Sequence, residues 1–164
     1  MKSNFQIDSL DRKILSILTK NARAPFLEVA RACNISGAAV HQRVQRLVRI
    51  GIISGSQFNV DPKKLGYKTC AFVGIFLDNA AMFNNVSEKL VKIQEITQCH
   101  YITGQWAMFL EVYARDNEHL RVVLADKIQS IKGVSRTETF ISLDVLFDRQ
   151  MPFLEEEEVA AGRR

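Results

Sequence analysis

The chain is 164 residues long, 47% apolar and 24% charged, enough for one domain or two small ones and too hydrophobic for a disordered chain. Its net charge of +4 is unevenly divided: Met1–Val60 holds nine Lys/Arg against three acidic residues, a net of +6, while the remainder holds thirteen basic and fifteen acidic, a net of −2. No apolar run reaches membrane-spanning length, the start (Met1, Lys2, Ser3, Asn4) lacks a signal-peptide pattern, and three unpaired cysteines (Cys33, Cys70, Cys99) argue against a disulfide framework or a cysteine zinc site. A cytoplasmic protein with a polyanion-binding first third and no membrane partner is expected.

Leu10, Ile14, Ile17 and Leu18 recur at helical spacing, so a first helix is predicted from Asp8 to about Lys20, with Asp8 as N-cap and Asp11 favourable to the helix dipole in the first turn. Pro25 suits the first turn of a second helix whose apolar stripe is Phe26, Val29, Ala30 and Cys33. Asn34 ends it in a left-handed conformation, and Ser36 caps a third helix after a tight turn.

That third helix carries the chemistry. Val40, Val44, Leu47 and Val48 are expected to be buried; Ala38, Ala39, His41, Gln42, Gln45 and Arg49 lie opposite, with Arg43 and Arg46 flanking. Small Ala38 and Ala39 let the helix start approach a groove. Gln42 and Arg43 are candidates for base edges and His41 for a groove or phosphate contact, while Arg23, Ser36, Arg46 and Arg49 are candidates for phosphates. Gly51 stops the helix, and Ile52, Ile53 and Gly55 lead to a short strand or wing. The expectation for residues 1–57 is a winged helix-turn-helix that binds double-stranded DNA, although a cationic solvated face on a small bundle reads similarly.

Residues 58–68, with Asp61-Pro62 and Gly66, read as a connector. The periodicity then changes. Cys70–Leu77 reads as a strand; Phe83, Val86, Leu90 and Ile93 as a helix; Thr97–Thr103 and Trp106–Ala114 as strands around a Gly104-Gln105 turn. A second helix follows through Leu120, Val123, Leu124, Ile128 and Ile131, then a Lys132-Gly133 turn and a long strand over Val134–Phe147. This β-α-β-β-α-β order predicts a ferredoxin-like domain at 69–149, making the whole chain α+β. The strands are apolar on both faces, whereas two helices cover only one; a second copy of the chain is the expected cover. Residues 150–164 form an acidic tail, with Glu155–Glu158 read as a solvated end.

His41, His100 and His119 lie too far apart in sequence to suggest a metal site, and no catalytic triad, phosphate loop or dinucleotide fingerprint occurs. Neither an enzyme nor a resident cofactor is expected. His100 reads as a hydrogen-bonded strand residue.

From Ile7 to Arg149 the sequence resembles the Lrp/AsnC (feast/famine) transcriptional regulators, on Leu10-Asp11-Arg12-Lys13-Ile14-Leu15, Arg23, Ser36, Arg43-Val44, Arg46-Leu47, Gly51-Ile52-Ile53-Ser54-Gly55, Gln98-Cys99-His100, Thr103-Gly104, Gly133-Val134 and Thr137–Thr139. The resemblance implies an amino-terminal helix-turn-helix, a carboxy-terminal amino-acid-binding domain that dimerises, and dimers assembled into octamers or similar species around which DNA wraps. It also implies a small effector near Thr103, Gly104, Gln105 and Trp106, with hydroxyls from Thr137, Thr139 and Ser142; the same hydroxyl residues also read as ordinary strand formers. Two places depart from the family. Gly37-Ala38-Ala39 stands where Ser/Thr and Pro are common, and Gly104-Gln105-Trp106-Ala107 stands where Gly-Asp-aromatic-Asp is common. Loss of both acids predicts weaker recognition of an amino acid's ammonium group, leaving open a different ligand or none. A ligand-independent DNA-architectural protein is the alternative on the same fold, and a sirohaem decarboxylase-like enzyme the remote one.

Overall fold

Asp8 opens the first helix, α1 (Ser9–Lys20), with a capping box: its carboxylate accepts the Asp11 N–H at 2.7 Å, and the Asp11 carboxylate accepts the Asp8 N–H at 3.2 Å. A computed structural model describes residues 7–151, so the expected run Glu155–Glu158 lies outside the described residues. The second helix, α2 (Phe26–Cys33), starts one residue beyond Pro25, which is extended (ψ 134°) and precedes the helix instead of occupying its first turn. Asn34 closes it in the left-handed region at φ 54°, ψ 42°, as its short polar side chain tolerates. Ser36 then accepts the Ala39 N–H at 3.1 Å and caps α3 (Gly37–Arg49). Ile14, Val29, Ala30, Cys33 and Val40 form the core of this helical unit, ringed by Leu10, Ile17, Phe26, Ile35 and Val44.

Val48 is 53% exposed instead of buried, because the buried arc of α3 is narrow, centred on Val40 and Leu47, and Val48 lies about 100° round the helix from Leu47. No wing forms: among the described residues between α3 and the sheet there is no strand. Ser54, Gly55 and Ser56 are poor strand formers, and a wing needs a second strand to pair with.

The chain divides into two compact units. One runs to Phe58 and takes up the chain again from Asp148; the other is Asn59–Phe147. In the second unit β1 (Thr69–Leu77), α4 (Phe83–Leu90), β2 (Ile96–Tyr101), β3 (Met108–Ala114), α5 (Asn117–Val122) and β4 (Val134–Ser142) follow the β-α-β-β-α-β order. The sheet order is β2-β3-β1-β4, with every neighbour antiparallel. Ala71, Val73 and Ile75 of β1 and Met108, Leu110, Val112 and Ala114 of β3 pack with Val86, Leu90, Leu120, Val123 and Ile128 into the core.

The strands are shorter than their apolar runs suggest. β4 stops at Ser142 because its last partner is Cys70, near the start of β1; Leu143–Phe147 continue without a ladder. β2 and β3 meet at Tyr101 and Met108, so Thr103 and Trp106 fall in the turn. α5 continues as a π-helical stretch, Val123–Ile128, not as regular helix.

Candidate nucleic-acid interface and sheet-face site

Projected at about 100° per residue, the side of α3 opposite Val40 and Leu47 carries Ala38, Gln42, Gln45 and Arg49 in one row. All four are exposed, as are Ser36 and His41, while Ala39 is half-buried. His41 lies on one flank, its ring 6.0 Å from that of Phe26 and its Nε2 3.4 Å from Gln45 Nε2. A shallow depression of about 360 Å³ lies beside it, lined by Phe26, His41, Val44, Gln45, Val48 and Arg49. Arg23, also exposed, sits over the Phe58 ring at 4.3 Å, a cation–π contact that holds the guanidinium without neutralising it.

Arg43 and Arg46, which flank the row on its other side as the sequence predicts, both reach back to α1. Arg43 Nη1 donates to Asp8 Oδ2 at 2.7 Å and to Asp11 Oδ1 at 2.8 Å, and Arg46 Nη2 donates to Asp11 Oδ2. Asp11 is fully buried, and both arginines are partly covered. Burial alone would raise the Asp8 carboxyl, but the Asp11 N–H and the Arg43 guanidinium outweigh it and hold Asp8 below its ordinary value. The same two carboxylates raise Arg43. Asp8 and Asp11 thus tie α1 to α3 through the two arginines, a role that their capping positions conceal and that two arginines three apart on α3 signal. Gln45, assigned no contact by the sequence reading, is in the outward row.

On the sheet, ladder partners share a face. The face away from the helices carries Cys70, Phe72, Gly74 and Phe76 of β1, Phe109, Glu111 and Tyr113 of β3, and Arg136, Glu138, Phe140 and Ser142 of β4. The Gly104 turn (φ 120°) folds Trp106 onto this face directly over Gly74, where a Cβ would lie 2.6 Å from the indole. The Trp106 N–H donates to Glu138 Oε2 at 3.0 Å, and Arg136, stacked on Phe76 at 3.9 Å, donates to Glu138 Oε1 at 3.2 Å. Trp106 stacks on Phe109 and meets Phe140 edge-on.

The expected effector cluster is therefore divided. Thr137 and Thr139 pair with Ile75 and Val73 on the helix side, and Thr137 accepts from Gln129 Nε2 at 2.8 Å. Ser142 is on the Trp106 face but opposite Cys70, and Thr103, Gly104 and Gln105 are exposed in the turn. Strand alternation held the signal, since 137 and 139 are odd and 142 even. Glu138, which the sequence reading passed over, is the carboxylate bound to Trp106.

Among the described residues no cluster of metal-ligating side chains occurs, and no helix is long and apolar enough to cross a membrane. Residues 7–48 match the AsnC-type helix-turn-helix domain, and residues 70–152 match the Lrp/AsnC ligand binding domain. The chain is 42% identical over 137 residues to regulatory protein AsnC of Haemophilus influenzae, covering 84% of this chain and 91% of that one. Among solved structures, Escherichia coli AsnC superposes with a TM-score of 0.86 at 37% identity, covering 90% and 99% of the two chains. The feast or famine regulatory protein Rv3291c from Mycobacterium tuberculosis, complexed with L-methionine, does so with 0.84 at 28% identity, also covering 90% and 99%. The chain belongs to the Lrp/AsnC family and is a DNA-binding transcriptional regulator of that type.

Proposed function

We propose that α3 enters the major groove with Ala38, Gln42, Gln45 and Arg49 facing the bases, and that Arg23 and Ser36 contact phosphates on either side. The observation that carries this reading is the outward row itself: a small residue at the helix start, then two amides and a guanidinium, on the one side of α3 that no neighbouring helix covers. An amide can pair bidentately with adenine, and arginine with guanine or with a phosphate. Ala39 and His41 stand at the margins of the row, where they shape the approach.

The regulator acts as a homo-oligomer, a dimer or an octamer-like assembly of dimers, joined through the aromatic sheet face. Phe72, Trp106, Phe109 and Phe140 lie together there on the face opposite the helices of the same unit, an apolar cluster suited to a second copy of the chain. An amino acid is the effector class that best fits, since a relative of the same fold is complexed with L-methionine. Glu138, held by Trp106 and Arg136, is a carboxylate on this face that an effector's ammonium group would reach only in competition with Arg136.

A salt titration on a selected operator tests the DNA reading. Gln42→Ala should lower discrimination at its contacted base pair by about 1–3 kcal/mol. Arg49→Ala should reduce the slope of log K against log salt by about one if Arg49 meets a phosphate. Should both variants bind like the wild type across sequences and salt, α3 is not the reading helix. Titrating the operator complex with each amino acid tests the effector separately: a flat response overturns that part and leaves DNA reading intact.

A further inference from the structure

Besides its outward row, α3 carries two further arginines that do not face outward. Arg43 and Arg46 are three residues apart on one flank of α3, and both reach back to α1, where Asp8 and Asp11 receive them. Asp11 is completely buried, each of its oxygens taken by a different guanidinium: Oδ1 by Arg43 and Oδ2 by Arg46. Oδ2 also accepts the Asp8 N–H, so the same carboxylate closes the cap of α1 and fixes α3. Two aspartates and two arginines make a cluster of zero net charge, so it adds nothing to the attraction of the helical unit for a polyanion.

We infer that Asp11 is a positioning residue for DNA recognition, which through Arg43 and Arg46 sets the rotation of α3 about its own axis and thereby aims the row Ala38, Gln42, Gln45 and Arg49. The two arginines act as struts and do not serve as ligands of the duplex. The geometry suits this function. Two struts one helical turn apart resist rotation, which apolar packing around Val40 and Leu47 resists less, because apolar contacts are non-directional. With a helix radius of about 5–6 Å, a 10° rotation moves a side-chain tip by about 1 Å, enough to spoil a bidentate hydrogen bond to a base edge. A buried carboxylate is retained only where charged partners saturate it, so the cluster has one preferred arrangement.

This inference rests on the reading that α3 contacts DNA, and the test separates the two. Full-length Arg43→Gln, Arg46→Gln, Asp11→Asn and Arg49→Gln variants are titrated from about 50 to 200 mM salt, each on an operator and on an unrelated duplex of equal length. Arg49→Gln reports on the α3 reading itself: a slope lowered by about one, or lost preference for the operator, sustains it, and wild-type behaviour in both removes it. For the strut role, Arg43→Gln and Arg46→Gln should keep the wild-type slope while the operator-to-random affinity ratio falls by about tenfold, comparable to losing one base contact. Asp11→Asn should lower the ratio similarly and steepen the slope by up to about one, because Arg46 is then released to reach a phosphate while Arg43 keeps its bond to Asp8. If Arg46→Gln instead lowers the slope by about one, Arg46 is itself a phosphate ligand and the inference falls. It falls equally if Arg43→Gln and Arg46→Gln leave both slope and ratio unchanged. The arginine variants decide the matter even if Asp11→Asn fails to fold, which far-ultraviolet circular dichroism would reveal.

Discussion

Gly74 is the residue on which the sheet face turns. It lies mid-strand in β1, between Phe109 of β3 and Glu138 of β4, and the Trp106 indole rests where its side chain would be. A methyl there would sit 2.6–2.7 Å from three indole carbons, and the ring cannot simply lift, because its N–H is tied to Glu138 and its plane stacks on Phe109. Gly74→Ala should therefore destabilise the sheet unit by about 1–3 kcal/mol, the usual cost of overpacking. It should show as a lower urea midpoint at unchanged m-value, with a shift in tryptophan emission from Trp106, the only tryptophan in the sequence. Because the penalty is steric, it should largely vanish in a Trp106→Leu background. An equal cost in both backgrounds would mean that Gly74 is required for some reason other than the ring above it.

At the level of elements, a second carboxylate ties β2, β3 and the last helix together. Glu95 Oε1 accepts from Lys127 Nζ at 2.7 Å and lies 3.2 Å from His119 Nε2, while the Glu95 carbonyl accepts the Tyr113 N–H at 2.8 Å. His119 Nδ1 accepts the Arg115 N–H, so Nε2 carries the proton that faces Glu95. Burial would raise this carboxyl, but Lys127 and His119 outweigh burial and hold it below its ordinary value of 4.5. A depressed carboxylate contributes stability that is present above pH 4.5 and is lost as pH falls through the folded-state value. Glu95→Gln should flatten the acid limb of the stability profile below that pH and cost about 1–2 kcal/mol at neutrality, since a buried acceptor is exchanged for an amide that meets Lys127 poorly. Chemical denaturation at stepped pH checks this, and an acid limb as steep as wild type's would assign the acid sensitivity to other carboxylates, Asp8 first among them.

The same scale shows what was legible beforehand. Elements defined by local chemistry could be read directly: Asp8 and Ser36 as caps, Asn34 as a left-handed stop, and the change from helical to strand periodicity near Cys70. Features that depend on distant partners could not. The aspartate–arginine cluster joins residues 32 to 35 apart, and nothing local distinguishes a capping Asp11 from one that also holds two arginines. An apolar run does not mark a strand's end, because it continues past the last available partner, as Leu143–Phe147 do beyond Ser142. The family resemblance sets the hydroxyls of Thr137 and Thr139 near the Gly104 turn, and strand alternation separates them from the Trp106 face.

For the whole molecule, the proposed pairing of sheet faces would bring more than one helical unit to the duplex. Phe109 lies at the middle of that face, stacked against both Phe72 and Trp106, and exposed Leu143, Val145, Leu146 and Phe147 extend the apolar surface beyond β4. A glutamate at 109 would remain solvated in a single copy of the chain but would be buried without a partner between two sheets, where an unpaired charge is costly. Phe109→Glu should therefore give a folded species of about 18.6 kDa by sedimentation, whereas a wild type paired through this face should sediment as a multiple of that mass. Its affinity for a single half-site should be unchanged, because no residue of α3 has been altered. Its affinity for a complete two-half-site operator should fall by about 100-fold or more, the avidity lost when the second contact is no longer tethered to the first. A variant that keeps the wild-type mass would place the self-association surface elsewhere. One that becomes monomeric yet binds the full operator undiminished would show that a single helical unit suffices, and that pairing of the sheets serves the effector and not the DNA.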